Sequence, residues 1–319
     1  LLSTQYRNRS ADRVVLSNFT FDSTGRAAPG INMGVRSEGR ISGLEYRMNG
    51  PTTNRQHDNG ISANVEDPEG TLLIENYRQF NNGDLGAYAG GESRVGLWVG
   101  ARNEGTINVR NPVLQGFPNN ACYVSRQPGT VRIDGGLFIN NNVSAVRVSG
   151  GVELRNSTIY IDMDQYEMGP GTLAASEHNT RGVWADSRGA GTPGGVVENV
   201  SVVLQNFRRS TGLATVLENP HITLRDCQFL LNANIEAIQA RDGEIEVRNC
   251  SFSSTETRAT AGVGKITGAD NYVDRQVAPG DVPVVTGRSQ EFSWLQTHPE
   301  TPDRDRFMDE FFDIRNDPR

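Results

Sequence analysis

Short runs in which apolar and polar residues alternate recur along most of this chain. Two of them, "HITLRDCQF" ending at Phe229 and "GEIEVRNCSF" ending at Phe252, share one phrase: apolar, any, apolar, any, Asn or Asp, Cys, any, Phe. With Gly also allowed at the turn, the phrase recurs with Asn18, Gly43, Asn76, Asn111, Gly135, Asn156, Asn199, Asp226, Asn249 and Gly268 at the turn position. A second phrase, Gly or Ala followed by apolar, any, apolar, precedes each; it reads "GINM", "GISA", "GLWV", "ACYV", "AVRV", "GVWA", "LATV" and "AIQA" among its copies. Period-2 alternation over so few residues predicts half-buried strands. Asn and Gly at the junction predict a turn residue in the left-handed region, which other L-residues avoid.

The repeat has a spacing near 20 to 25 residues, which is the mark of a stacked β-solenoid. One coil buries a single face of its strands and has no core of its own; stacking closes the core and pairs the backbone. The leucine-rich-repeat alternative lacks its consensus and its intervening helix. The expected architecture is therefore all-β, a solenoid of about ten coils over residues 1–273. Wider spacing marks loop insertions near 77–95 and 159–195. Past about Asp274 the pattern stops. There "VAPGDVPVVTG" reads as a linker, and "TPDRDRFMDEFFDIR" predicts a short helical cap with Thr301 as N-cap and Pro302 at the first helical position.

The Asn column, the Gly-apolar-any-apolar strands and segments such as "INNNVSAVRVSGGVELRNSTI" together resemble the right-handed parallel β-helix superfamily, the pectin-lyase-like fold. The resemblance spans residues 14–273. It implies a right-handed parallel β-helix, and it implies no single activity. That superfamily holds polysaccharide lyases, glycoside hydrolases, phage tailspikes and non-catalytic surface proteins.

Composition narrows the partners. The apolar fraction is 36% with 35 glycines, which suits a thin fold whose strands each face water on one side. A net charge of −7 is the wrong sign for a nucleic-acid footprint. No apolar run reaches the roughly 20 residues of a membrane span. One lysine, Lys265, stands against thirty arginines, a usage that resembles haloarchaea and their viruses. The start lacks an initiator Met and the features of a signal peptide, so a processed chain or a fragment is expected. Three cysteines, Cys122, Cys227 and Cys250, are too few and too widely spaced for a disulfide framework. Cys227 and Cys250 follow the turn residue in successive copies and are expected as stacked, buried free thiols, with a disulfide between them as the alternative, since stacking brings their Cα atoms close to disulfide range.

The middle residue of the second phrase should point away from the core. Down the chain it reads Asn32, Ser62, Trp98, Tyr123, Arg147, Trp184, Thr215 and Gln239. Trp98, Tyr123, Arg147 and Trp184 are expected as an exposed column, with rings to stack on sugar faces and Arg147 to meet a carboxylate or sulfate. Covering of the rings by the insertions, and a subunit interface, are the alternatives. Another outward column, Glu75, Arg110, Asp134, Arg155, Glu198, Arg225 and Arg248, reads as a salt-bridge ladder.

Asp162, Asp164 and Glu167 supply the nearest approach to a Ca²⁺ site, as alternating hard oxygen ligands. The Asp-Asp and Gly-His-Gly signatures of polygalacturonase-like enzymes are missing, so no catalytic residue is named. His57 and His178 read as turn residues. Of six glycosylation sequons, four fall on the Asn column, leaving Asn8 and Asn142 as acceptors. The function expected is an extracellular, cell-surface or virion-surface β-helix without catalysis, adhering to polysaccharide or assembling with like subunits. A polysaccharide lyase or glycoside hydrolase working beside the 159–195 insertion is the alternative, and a purely structural rod is a third reading.

Overall fold

The structure, a computed structural model, describes residues 5–23, 30–48, 59–80, 94–162, 180–205, 214–217, 221–232, 238–240, 243–254, 265–269 and 272–274. The chain opens on two long strands, β1 (Gln5–Ser23) and β2 (Gly30–Met48). Three short strands follow, β3 (Ile61–Val65), β4 (Thr71–Glu75) and β5 (Arg78–Phe80). The trio recurs as β6 (Leu97–Val99), β7 (Thr106–Arg110) and β8 (Val113–Gln115), then as β9 (Asn120–Tyr123), β10 (Thr130–Asp134) and β11 (Leu137–Ile139). Twice the last two members fuse: β12 (Ser144–Val148) leads to β13 (Val152–Asp162), and β14 (Val183–Asp186) to β15 (Val196–Gln205). The trio returns as β16 (Ala214–Leu217), β17 (His221–Arg225) and β18 (Gln228–Asn232), and as β19 (Ile238–Ala240), β20 (Glu244–Arg248) and β21 (Ser251–Ser254). A last pair, β22 (Lys265–Ala269) and β23 (Tyr272–Asp274), closes the series.

Each member of a trio pairs, in parallel, with its counterpart in the next trio. Thus β4 pairs β7, β7 pairs β10, and β10 pairs the first part of β13. This coil-upon-coil pairing joins all the described strands into one parallel sheet system, consistent with a β-helix-like solenoid. Among the described residues there is no helix. Expectations for residues 275–319, including the helical cap at Thr301 and Pro302, lie outside the described residues.

The apolar positions of the repeat stack in register. Ile41, Ile74, Val109, Ile133, Leu154, Val197, Leu224 and Val247 form one continuous column through eight strands. All are buried. Each such aliphatic side chain contributes about 2 kcal/mol on burial. The column therefore ties neighbouring coils together through side chains as well as through backbone hydrogen bonds.

The turn residues behave as their type demands. Asn18, Asn76, Asn111, Asn156, Asn199, Asp226 and Asn249 all have positive φ, between 47° and 55°, and Gly43 and Gly135 join them at 61° and 70°. Their side chains also bond along the stack. Asn156 Nδ2 donates to Asp134 Oδ1 at 2.8 Å, Asn199 Nδ2 to Asn156 Oδ1 at 2.7 Å, and Asn249 Nδ2 to Asp226 Oδ1 at 2.6 Å. Gly268 departs from the expectation: it pairs with Val247, two residues before the turn residue Asn249, and so stands in register with an apolar position.

The charged column is in register, but its bonding is more local than a simple ladder. Glu198 accepts from both Arg155 and Arg225 at 3.2 Å, bridging three coils. Glu75 instead pairs with Arg40, and Arg248 with Glu246 two residues away on its own strand. No disulfide joins the three cysteines, and all three are buried. Cys227 and Cys250 are stacked as expected: the Cys227 backbone N–H donates to Cys250 Sγ at 3.4 Å. Asn142 cannot be a glycan acceptor in this fold. It is fully buried, and its Nδ2 donates to the Pro118 carbonyl at 3.1 Å.

Candidate functional site

The eight residues from Asn32 to Gln239 that should share a column do share one. Each lies opposite the next across β2, β3, β6, β9, β12, β14, β16 and β19. Their flanking positions, among them Leu97, Val99, Cys122, Val146, Val148, Val183 and Ala185, fill the core. Strand alternation thus turns Trp98, Tyr123, Arg147 and Trp184 to the opposite face, at the spacing of about 4.8 Å set by strand pairing.

That face is not open. Trp98 is half-buried, but Tyr123 is only 7% exposed, Trp184 8% and Arg147 5%. The expectation of exposed rings is therefore corrected. The reason is visible in the stack itself. Arg147 lies between its two register neighbours, its guanidinium carbon 4.1 Å from the Tyr123 ring centre and 3.7 Å from that of Trp184. Arg181 covers Trp184 at 4.2 Å, and Arg126 approaches Tyr123 at 5.2 Å. Trp98 meets Tyr123 edge to face, with ring centres 4.6 Å apart. The faces of the Tyr123 and Trp184 rings are occupied by guanidinium groups, an arrangement that stabilises both partners by about 0.5–2 kcal/mol per contact.

A carboxylate that the repeat did not single out organises this cluster. Asp186 follows Trp184 by two residues on β14, so it turns to the same face, and it is fully buried. Its Oδ2 accepts from Arg147 Nη1 at 3.1 Å and from Arg188 Nη2 at 3.0 Å, and its Oδ1 from Arg188 Nε at 2.8 Å. The Arg188 backbone N–H adds a fourth bond at 3.1 Å. Arg126 Nη2 lies 3.8 Å from Oδ2. Burial pushes the Asp186 carboxyl upward, but the hydrogen bonds from Arg188 and the charges of Arg147 and Arg188 outweigh it and hold the pKa below the ordinary value. Burial lowers the Arg147 pKa, and nearby Tyr123 and Asp186 oppose that shift.

Three guanidiniums thus converge on one carboxylate beside two aromatic rings. Arg147 and Asp186 are buried in the cluster, while the Arg126 and Arg188 side chains are 36% and 34% exposed and form its rim. Among the described residues the cluster is rich in N–H donors and holds one carboxylate, which suits an anionic group.

The other sequence candidates fare differently. Asp162 ends β13, with Gln205 of β15 opposite it. Asp164 and Glu167 lie outside the described residues, as do His57 and His178. Among the described residues no group of three or more His, Cys, Asp or Glu side chains is placed to hold a metal ion. Among them, too, no helix is long and apolar enough to cross a membrane. Comparison with protein-family models, curated proteins and solved structures finds no match. The functional reading therefore rests on the chain's own residues.

Proposed function

We propose that the chain is a right-handed parallel β-helix of about ten coils, of the pectin-lyase-like kind, and that it serves as a non-catalytic surface protein. It holds glycan at the exposed rim of the cluster, at Arg126 and Arg188, in front of the column Trp98, Tyr123, Arg147 and Trp184. The observation that supports this most directly is the in-register stack of aromatic and guanidinium groups with Arg126 and Arg188 at its rim. A rod that repeats one coil geometry presents evenly spaced groups, and a polysaccharide presents evenly spaced residues. The reading places the protein outside the cell, on a cell or virion surface, where adhesion or assembly with like subunits has a use. Its arginine-dominated cation usage fits a haloarchaeal or haloarchaeal-virus source.

Catalysis is the less favoured reading because, among the described residues, the cluster holds one carboxylate, Asp186, already engaged by arginines. Glycoside hydrolysis works with two carboxylates, separated by about 5 to 9.5 Å. The test is co-sedimentation of the protein with a panel of insoluble or immobilised polysaccharides, followed by assay of the supernatant. Retention on at least one polysaccharide without new reducing ends or unsaturated products is expected. Retention on none rejects the glycan reading, and release of products assigns an enzyme.

A further inference from the structure

Three buried donors in the cluster have no hydrogen-bond partner: Nε of Arg126, Nε of Arg147 and Nε1 of Trp184. Arg147 and Trp184 are each more than nine-tenths buried. A buried donor left unpaired is costly, and native folds pair nearly all of theirs. Here three occur in one stack: Arg147 rests on the Trp184 ring, and Arg126 and Arg147 both approach Tyr123. All three atoms can only donate. Among the described residues the carboxylate within reach is Asp186, and it is spent largely on Arg188 and on Arg147 Nη1.

We propose that Arg126, Arg147 and Trp184 form an oxyanion site that receives a carboxylate or sulfate group of an acidic polysaccharide. The inference rests on the glycan reading above and narrows it to the anionic class. The rings contribute by fixing the guanidiniums. A guanidinium held against an aromatic face is fixed in position while its N–H groups stay available to a planar or tetrahedral oxyanion. A neutral sugar ring has no equivalent role, because the faces of Tyr123 and Trp184 are already taken by Arg147, Arg126 and Arg181. Arg126, at the rim, is the point of entry; Arg147 and Trp184 lie behind it.

Titration calorimetry with four probes of matched length tests this: a polyuronate oligosaccharide, a sulfated oligosaccharide, a neutral oligosaccharide and oligoglutamate. The wild-type chain is expected to bind one or both acidic sugars and to bind the neutral sugar at least tenfold more weakly. Arg126→Gln is expected to weaken acidic-sugar binding about tenfold or more, the scale of one charge-assisted hydrogen bond. Arg126→Lys restores part of the loss through its charge. Trp184→Phe keeps the ring, removes the indole N–H, and weakens binding without Arg126 being touched. Cooperative urea unfolding of each variant establishes that it is folded before its affinity is read.

Unchanged affinity in both Arg126→Gln and Trp184→Phe overturns the site. Neutral sugar bound as well as acidic sugar overturns the anionic class while leaving the glycan reading standing. Oligoglutamate bound as tightly as the acidic sugars overturns the choice of polysaccharide and points to an acidic protein partner. Binding of no sugar at all defeats the glycan reading itself.

Discussion

Asp186 and Trp184 show how far a residue's neighbours decide its role. Read alone, Trp184 is an outward ring on a strand, and its removal should leave stability untouched. Beneath the Arg147 and Arg181 guanidiniums it is a packed residue. Trp184→Ala is accordingly expected to lower stability by about 3 kcal/mol or more, the usual cost of emptying a buried aromatic site; equilibrium urea denaturation measures it. Asp186 carries the larger electrostatic share. Asp186→Asn leaves Arg147 and Arg188 facing a neutral group and is expected to cost about 3 kcal/mol, as breaking a buried ion pair does. The pH dependence has a definite sign. With its folded pKa below the ordinary carboxyl value, Asp186 contributes full stability above its unfolded-state pKa. That contribution is lost as pH falls toward and through the folded value. Urea midpoints measured from neutral pH down to about pH 3 should therefore converge between wild type and Asp186→Asn at the acid end. A constant gap would place the effect elsewhere.

At the scale of elements, the turns and the register were legible because few residue types satisfy them. A left-handed turn admits Asn, Asp or Gly, and nine of the positions picked on that basis have positive φ. The inward columns were legible from alternation alone, Cys122 and the Cys227–Cys250 stack among them. What alternation could not give was covering. It places Trp98, Tyr123 and Trp184 on the outer face and is silent on what lies over that face. Arg126, Arg181 and Arg188 fall outside the repeated phrase, and Asp186 falls one residue past it, so their convergence depends on coil-to-coil stacking. The nearest signal was "RGVWAD", where alternation carries Trp184 and Asp186 to one side. The Asn column itself yields a clean test. Asn156→Ala forces a Cβ-bearing residue without side-chain compensation into φ of 47° and removes the bonds to Asp134 and from Asn199. A loss of about 1–2 kcal/mol from backbone strain alone is expected. Asn156→Gly escapes the strain and should retain more stability; equal losses in the two variants would assign the cost to the hydrogen bonds instead. Native-state thiol labelling probes the inward columns. Slow reaction at Cys122, Cys227 and Cys250 is expected, and rapid labelling of either stacked thiol contradicts its burial.

At the scale of the molecule, one repeated coil accounts for both the core and the face. Stacking in parallel register turns a single apolar position into a continuous column such as Ile74–Val109–Ile133. The same operation turns scattered aromatic and arginine residues into the line Trp98–Tyr123–Arg147–Trp184. If acidic polysaccharide enters through the half-exposed Arg126 at the rim of that line, ionic strength should weaken its binding as it screens other exposed charges. The decisive measurement is retention on an array of immobilised neutral, uronate-bearing and sulfated polysaccharides, washed at low and at high salt. Retention confined to the acidic members, weakened by salt and lost in Arg126→Gln, is the expected result. Retention on neutral members alone, or on none, contradicts it.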